Sequence, residues 1–186
     1  MPSVTLGVAF TAAAAASLRA QLGADWARPR LLFTIEPLRA AGAMPSAGDL
    51  LADLRLADRI WRVEQRSLLV AQNADATISL LVSEAADARL TTAAGDERVQ
   101  LTDDAQAALF AEHVGREQPS ACRLLMASGS AMPALQRGDV VRDASVSRHM
   151  FVVEERLFVW DAGNRLQVRY LLSLGVKSGE LKQWQE

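Results

Sequence analysis

"AMPSAGDLLADLRLADRIWRVEQRSLLV" at 43–70 and "AMPALQRGDVVRDASVSRHMFVVEERLFVW" at 131–160 decide how this chain is read. Taken alone, the first stretch looks like a helix. Leu50, Leu54, Ala57 and Trp61 recur at helical spacing, and Arg55, Arg59, Arg62 and Arg66 form a second stripe. The second stretch is rich in Val, Phe and Ser, which favour strand. If the two fold alike, both are strands and the arginines do not share one face.

A gapless alignment of Gly48–Ser83 with Gly138–Ser173 supports reading them together. Over 36 positions eight are identical: Gly48/Gly138, Asp49/Asp139, Asp53/Asp143, Val63/Val153, Glu64/Glu154, Arg66/Arg156, Leu81/Leu171 and Ser83/Ser173. Eleven more exchange one large apolar residue for another, among them Trp61/Phe151, Val70/Trp160 and Leu80/Tyr170. Upstream, "VTL" at 4–6 answers "VQL" at 99–101, and Thr11 with its helix answers Thr102 with another. "RLL" at 30–32 answers "RLL" at 123–125, and Ala43-Met44-Pro45 answers Ala131-Met132-Pro133. Self-similarity at this period indicates a duplicated supersecondary unit.

The unit reads as a short strand (Val4–Leu6; Val99–Leu101), then a helix N-capped by Thr11 or Thr102 and stopped by Gly23 or Gly115. A strand follows (Arg30–Ile35; Arg123–Ala127), then a proline loop and the Gly-Asp turns Gly48-Asp49 and Gly138-Asp139. An antiparallel meander closes it: 58–72 with 76–83, and 148–161 with 165–173. Leu166, Val168, Tyr170 and Leu172 alternate with Gln167 and Arg169, which predicts one core face on the last strand. The expected fold is α+β: two tandem copies of a β-α-β plus meander unit, arranged as a pseudo-twofold pair. The expected boundaries are 1–86, a linker over 87–97, 98–174, and a tail over 175–186.

Composition bounds the partners. The chain has 186 residues, half of them apolar, and a net charge of −2 from 20 basic and 22 acidic residues. That is the composition of a globular protein, without the basic surplus that duplex nucleic acid usually demands. Cys122 is the sole cysteine, and with His113 and His149 it matches no zinc spacing, so no metal, cofactor or disulfide is expected. No apolar run approaches the length of about 18 residues that a membrane helix needs. The Ala-rich start lacks a basic residue ahead of its apolar part and belongs to the first unit, so a cytoplasmic protein is expected.

No constellation carries chemistry. There is no phosphate loop, dinucleotide fingerprint or nucleophile elbow. His113 beside Glu112 could serve a hydrolase that uses carboxylates, but a surface helical histidine explains it as well. His149 aligns with Arg59, as one strand-face polar residue with another. Glu64 with Arg66, and Glu154 with Arg156, read as solvent-side ion pairs two residues apart. Aromatic residues that one copy has and the other lacks are the candidates for a partner surface: Trp160, Tyr170 and, in the tail, Trp184. Core packing competes for Trp160.

Gly138-Asp139-Val140 followed by two strands ending in "LQVRYL" resembles the surface-presentation-of-antigens domain of type III secretion and flagellar switch proteins, which also occurs in tandem. The resemblance covers 135–172. The interval after the Gly-Asp is shorter here and the preceding helix lies elsewhere, so no family assignment rests on it. Small barrel modules of phage neck and tail proteins share the rhythm. The functional expectation is a non-enzymatic adaptor that binds another protein on the groove or edge between the halves. The alternative is a structural part of a secretion apparatus or phage particle.

Overall fold

The computed structural model of the chain describes residues 4–23, 32–33, 38, 42–54, 59–72, 75–92, 98–115, 134–142, 147–163 and 165–175. Among these it is a mixed α+β protein with nine strands and two helices. It divides into two compact units, and the division does not follow chain order. The first unit joins Met1–Thr92 to Leu157–Gln167; the second joins Ala93–Arg156 to Val168–Glu186.

The first unit begins with β1 (Val4–Phe10) and α1 (Ala12–Leu22). Thr11 Oγ1 accepts a hydrogen bond from the Ala14 amide at 3.4 Å, an alanine run carries the helix, and Gly23 ends it at φ 95°. Ala14 and Leu18, one turn apart, face the core. β2 (Leu32–Phe33) lies antiparallel to β1. Next come β3 (Leu50–Asp53), β4 (Ile60–Val70) and β5 (Ala76–Glu84). β1 runs parallel to β5, from Val4 opposite Ala76 to Phe10 opposite Val82. β4 and β5 form a hairpin whose register slips between Val63 and Gln65, leaving Glu64 bulged. The helix that 49–66 suggests in isolation is absent: both ends of that stretch are strand.

β3 is the centre of this unit. One edge pairs antiparallel with β4, Leu50 opposite Arg62 through Ala52 opposite Ile60. The other edge pairs parallel with Leu157–Trp160, from Leu50 opposite Leu157 to Asp53 opposite Trp160. Those residues end β8 (Phe151–Trp160). All four β3 residues are buried, as are all four residues opposite them. Adjacent strand residues point to opposite faces, so this run is covered on both. Each of the Leu, Val and Phe side chains here gains about 1.5–3 kcal/mol from leaving water.

The second unit holds β6 (Val99–Leu101), α2 (Asp103–Glu112), β7 (Val140–Val141), the first part of β8, and most of β9 (Leu166–Leu174). β6 runs parallel to β9, and β7 pairs antiparallel with the start of β8. Val99, Ala105, Leu109, Phe151, Val153 and Leu172 lead its core.

Several expectations need correction. β1 is longer than Val4–Leu6, and its ladder sets Val8, not Val4, opposite Leu80; Val8–Phe10 therefore match Val99–Leu101. Thr102 sits at the N-cap, but its hydroxyl bonds the Asp104 carboxylate rather than accepting an amide. Glu64 bonds Ser83 across the hairpin, because the bulge takes it out of step with Arg66. Arg156 is completely buried and donates to the Leu135 carbonyl at 2.9 Å, so it is not a solvent-side group. β9 does not present one core face: Arg169 and Leu171 are buried along with Tyr170 and Leu172. Cys122, the strand expected over Arg123–Ala127, the Ala131–Pro133 loop and Trp184 lie outside the described residues.

Candidate partner-binding surface

The two Gly-Asp pairs build the same turn. Gly48 and Gly138 adopt φ 87° and 85°, a conformation that disfavours a side chain. Asp49 Oδ2 accepts from the Ser46 amide at 2.7 Å, and Asp139 Oδ2 accepts from the Gln136 amide at 2.7 Å. The Gly48 amide then donates to the Val63 carbonyl and the Val63 amide to that of Asp49; Gly138, Val153 and Asp139 repeat the arrangement. These carboxylates shape backbone, each anchoring a turn at the head of a strand.

Two of the aromatic candidates, Trp160 and Tyr170, are buried. Trp160 is 0 % exposed in the first unit, with Phe158 stacked at 6.4 Å. Tyr170 is buried in the second unit's core. Their contact area is already used inside the protein, so core packing accounts for both.

The exposed apolar surface lies elsewhere. Leu68, Leu69 and Val70, at the tip of the β4–β5 hairpin, are 61 %, 69 % and 61 % exposed. Three consecutive exposed residues on a strand leave both of its faces bare. β4 pairs with β3 only along Ile60–Arg62, so beyond that point its outer edge has no strand partner among the described residues. In the second unit Val140 is 53 % exposed, and among the described residues β7 pairs with β8 alone. An apolar strand end with an open edge is a template for another chain. The sequence signal was present: 68–70 aligns with 158–160, and both runs are apolar.

The polar clusters are structural. Glu112, ending α2, accepts from Ser147 Oγ at 2.6 Å and from the Arg148 amide at 3.0 Å, with His149 Nε2 3.6 Å away. Burial pushes the Glu112 carboxyl up, but these hydrogen bonds and the nearby imidazoles of His149 and His113 outweigh it and hold it below the usual glutamate value. A hydrolytic relay needs the hydroxyl to donate to an imidazole. Here Ser147 donates to the carboxylate, and the group ties a loop to a helix end. The aligned Arg59 does similar work in the first unit, donating to Ser17 Oγ at 2.8 Å and pairing with Glu84 at 3.2 Å. An open cleft of about 310 Å³ lies beside that pair, lined also by Leu90 and Thr91. Among the described residues no group of three His, Cys, Asp or Glu side chains could hold a metal ion, and no helix is long and apolar enough to cross a membrane.

Comparison with known protein families, curated proteins and solved structures finds no match.

Proposed function

We propose that this chain is a non-enzymatic, adaptor-type protein built from an internal duplication, which binds another protein through its strand edges. The observation that carries the reading is the bare hairpin tip at Leu68–Val70, whose aligned counterpart at Phe158–Trp160 is wholly buried. A cytoplasmic location belongs to the same proposal.

Matched contacts at a constant offset support the duplication. The hairpin turns close alike, the Ala71 amide on the Asp75 carbonyl and the Asp161 amide on that of Arg165. The Ala85 amide donates to the Ile60 carbonyl, and the Gly175 amide to that of Met150. Ser83 bonds Glu64, and Ser173 bonds Glu154. Leu51 stands opposite Trp61, and Val141 opposite Phe151. Unrelated β-rich halves have no reason to share side-chain and backbone contacts at one spacing. An experimental structure whose 48–83 and 138–173 segments do not superpose would overturn the duplication.

The binding role is tested by capture from native lysate with the full chain and with Leu69→Asp. The expected result is a protein retained by the wild type and lost in the variant, at an unchanged melting temperature. Equal retention by both removes the hairpin tip from the proposal. A second reading, a structural component of a larger assembly of secretion-apparatus or phage-particle type, is favoured by the uneven use of the two tips. A contact made on one side and left open on the other suits repeated addition of subunits.

A further inference from the structure

We infer that the cleft beside Arg59 and Glu84 binds a free apolar α-amino acid, its carboxylate on the Arg59 guanidinium and its ammonium on the Glu84 carboxylate. The cleft is lined by residues of the first unit alone and lies at the opposite end of β4 from the hairpin tip. It is a site separate from the protein docking proposed above.

Arg59 has bonding capacity that its structural tie leaves over. Every hydrogen bond and ion pair it makes among the described residues runs through Nη1, to Ser17 Oγ at 2.8 Å and to Glu84 at 3.2 Å. A guanidinium has five N–H donors, and Nη1 supplies two of them. The Nε and Nη2 donors form a planar fork that matches both oxygens of a carboxylate. Glu84 has room as well. Its Oε2 accepts from Ser17 and Arg59 and its Oε1 pairs with Arg59, which leaves one of the roughly four acceptor sites of a carboxylate.

Charge and size set the class of ligand. Arg59 and Glu84 sum to zero charge, and each repels the simple ion that the other attracts. A zwitterion satisfies both. The two groups stand 3.2 Å apart, so the ligand must carry its two charges close together. A free α-amino acid holds them on one carbon, whereas a peptide separates its charged ends with neutral amides. The cleft, at about 310 Å³, is at the small end of the range of about 300–1,000 Å³ that ligand sites occupy. Ile60, Ala85 and Leu90 line it beyond the ion pair, and the last two are buried. Such a lining suits an aliphatic side chain and penalises a charged one. The Arg59 and Glu84 side chains are 22 % and 41 % exposed, so water competes for both charges and millimolar affinity is expected.

Isothermal titration of the full chain with L-leucine, L-isoleucine and L-valine tests this. Saturable binding is expected, strongest for the side chain that fits best. Isocaproate and isoamylamine, which keep the leucine side chain with one charge each, are expected to bind at least about tenfold more weakly than leucine. Arg59→Lys keeps the charge and a donor for Ser17 and Glu84 but lacks the fork; it should weaken leucine binding about tenfold or more at an unchanged melting temperature. Glu84→Gln should weaken leucine and leave isocaproate no weaker. Arg165→Ala, which breaks an exposed ion pair with Asp161 outside the cleft, should leave leucine binding as it is. No saturable heat from any of the three amino acids overturns the inference. So does isocaproate or isoamylamine binding as tightly as leucine, which would make the cleft a site for a simple ion. Leucine binding retained in full by both Arg59→Lys and Glu84→Gln would put the ligand elsewhere and overturn the site.

Discussion

The ends of the two long hairpin strands are matched in sequence and opposite in fate. Leu157–Trp160 lies inside the first unit, sealed against β3. Ser67–Val70 is a strand whose outer edge meets no other among the described residues and whose side chains stand in water. Neither apolar content nor β-propensity separates their last three residues, which are hydrophobic in both. What differs is whether a strand edge is supplied to them. Burial here is a property of the pairing, and intrinsic preference only permits it.

Three experiments break or sharpen that contrast. Trp160→Ala removes the largest fully buried side chain and should cost about 3–5 kcal/mol in urea unfolding, whereas Val70→Ala should change stability by no more than about 0.5 kcal/mol. Similar costs at the two positions would dissolve the distinction. A smaller effect distinguishes the positions that follow β5 and β9. Ala85 carries its methyl group in the first unit, but a Cβ at Gly175 would stand 2.9 Å from the Met150 carbonyl oxygen. Gly175→Ala should therefore cost about 1–3 kcal/mol, read as a fall in the melting temperature. Ala85→Gly should cost about 1 kcal/mol, from lost burial and added chain entropy.

The smallest effect concerns acid. Glu112 has its folded-state pKa lowered, so its contribution is complete above the unfolded value and is lost as pH falls through the folded one. Denaturation across the carboxylate range should show this acid-side loss in the wild type and a flatter profile in Glu112→Gln. Identical profiles would remove Glu112 from the contacts that secure 147–149.

Much of the local structure was legible because the two aligned stretches corrected each other. The Val- and Phe-rich 148–160 overrules the helical spacing of 50–61, and the positive-φ turn at Gly48 recurs at Gly138. Trp160 and Tyr170, two of the candidate surface residues, are buried for a physical reason. Size and the lack of an aromatic at the aligned position singled out Trp160 and Tyr170, yet large aromatics bury wherever a cavity admits them. The exposed apolar run is the plainer Leu68-Leu69-Val70, whose aligned partners are buried against a strand edge. Arg156 and Arg169 were equally illegible, since charged side chains enter a core only where backbone or other groups receive them.

The first unit's dependence on Leu157–Gln167 has a consequence during synthesis. When Thr92 leaves the ribosome, every other part of that unit has been made, but the strand that covers β3 has not. Translation of 93–156 takes roughly 3–13 s at ordinary rates. For that interval the nascent chain carries an open, wholly apolar Leu50-Leu51-Ala52 edge, the kind of surface that neighbouring polypeptides and chaperones compete to occupy. The half of the protein made first therefore waits for the second hairpin strand before its sheet is complete.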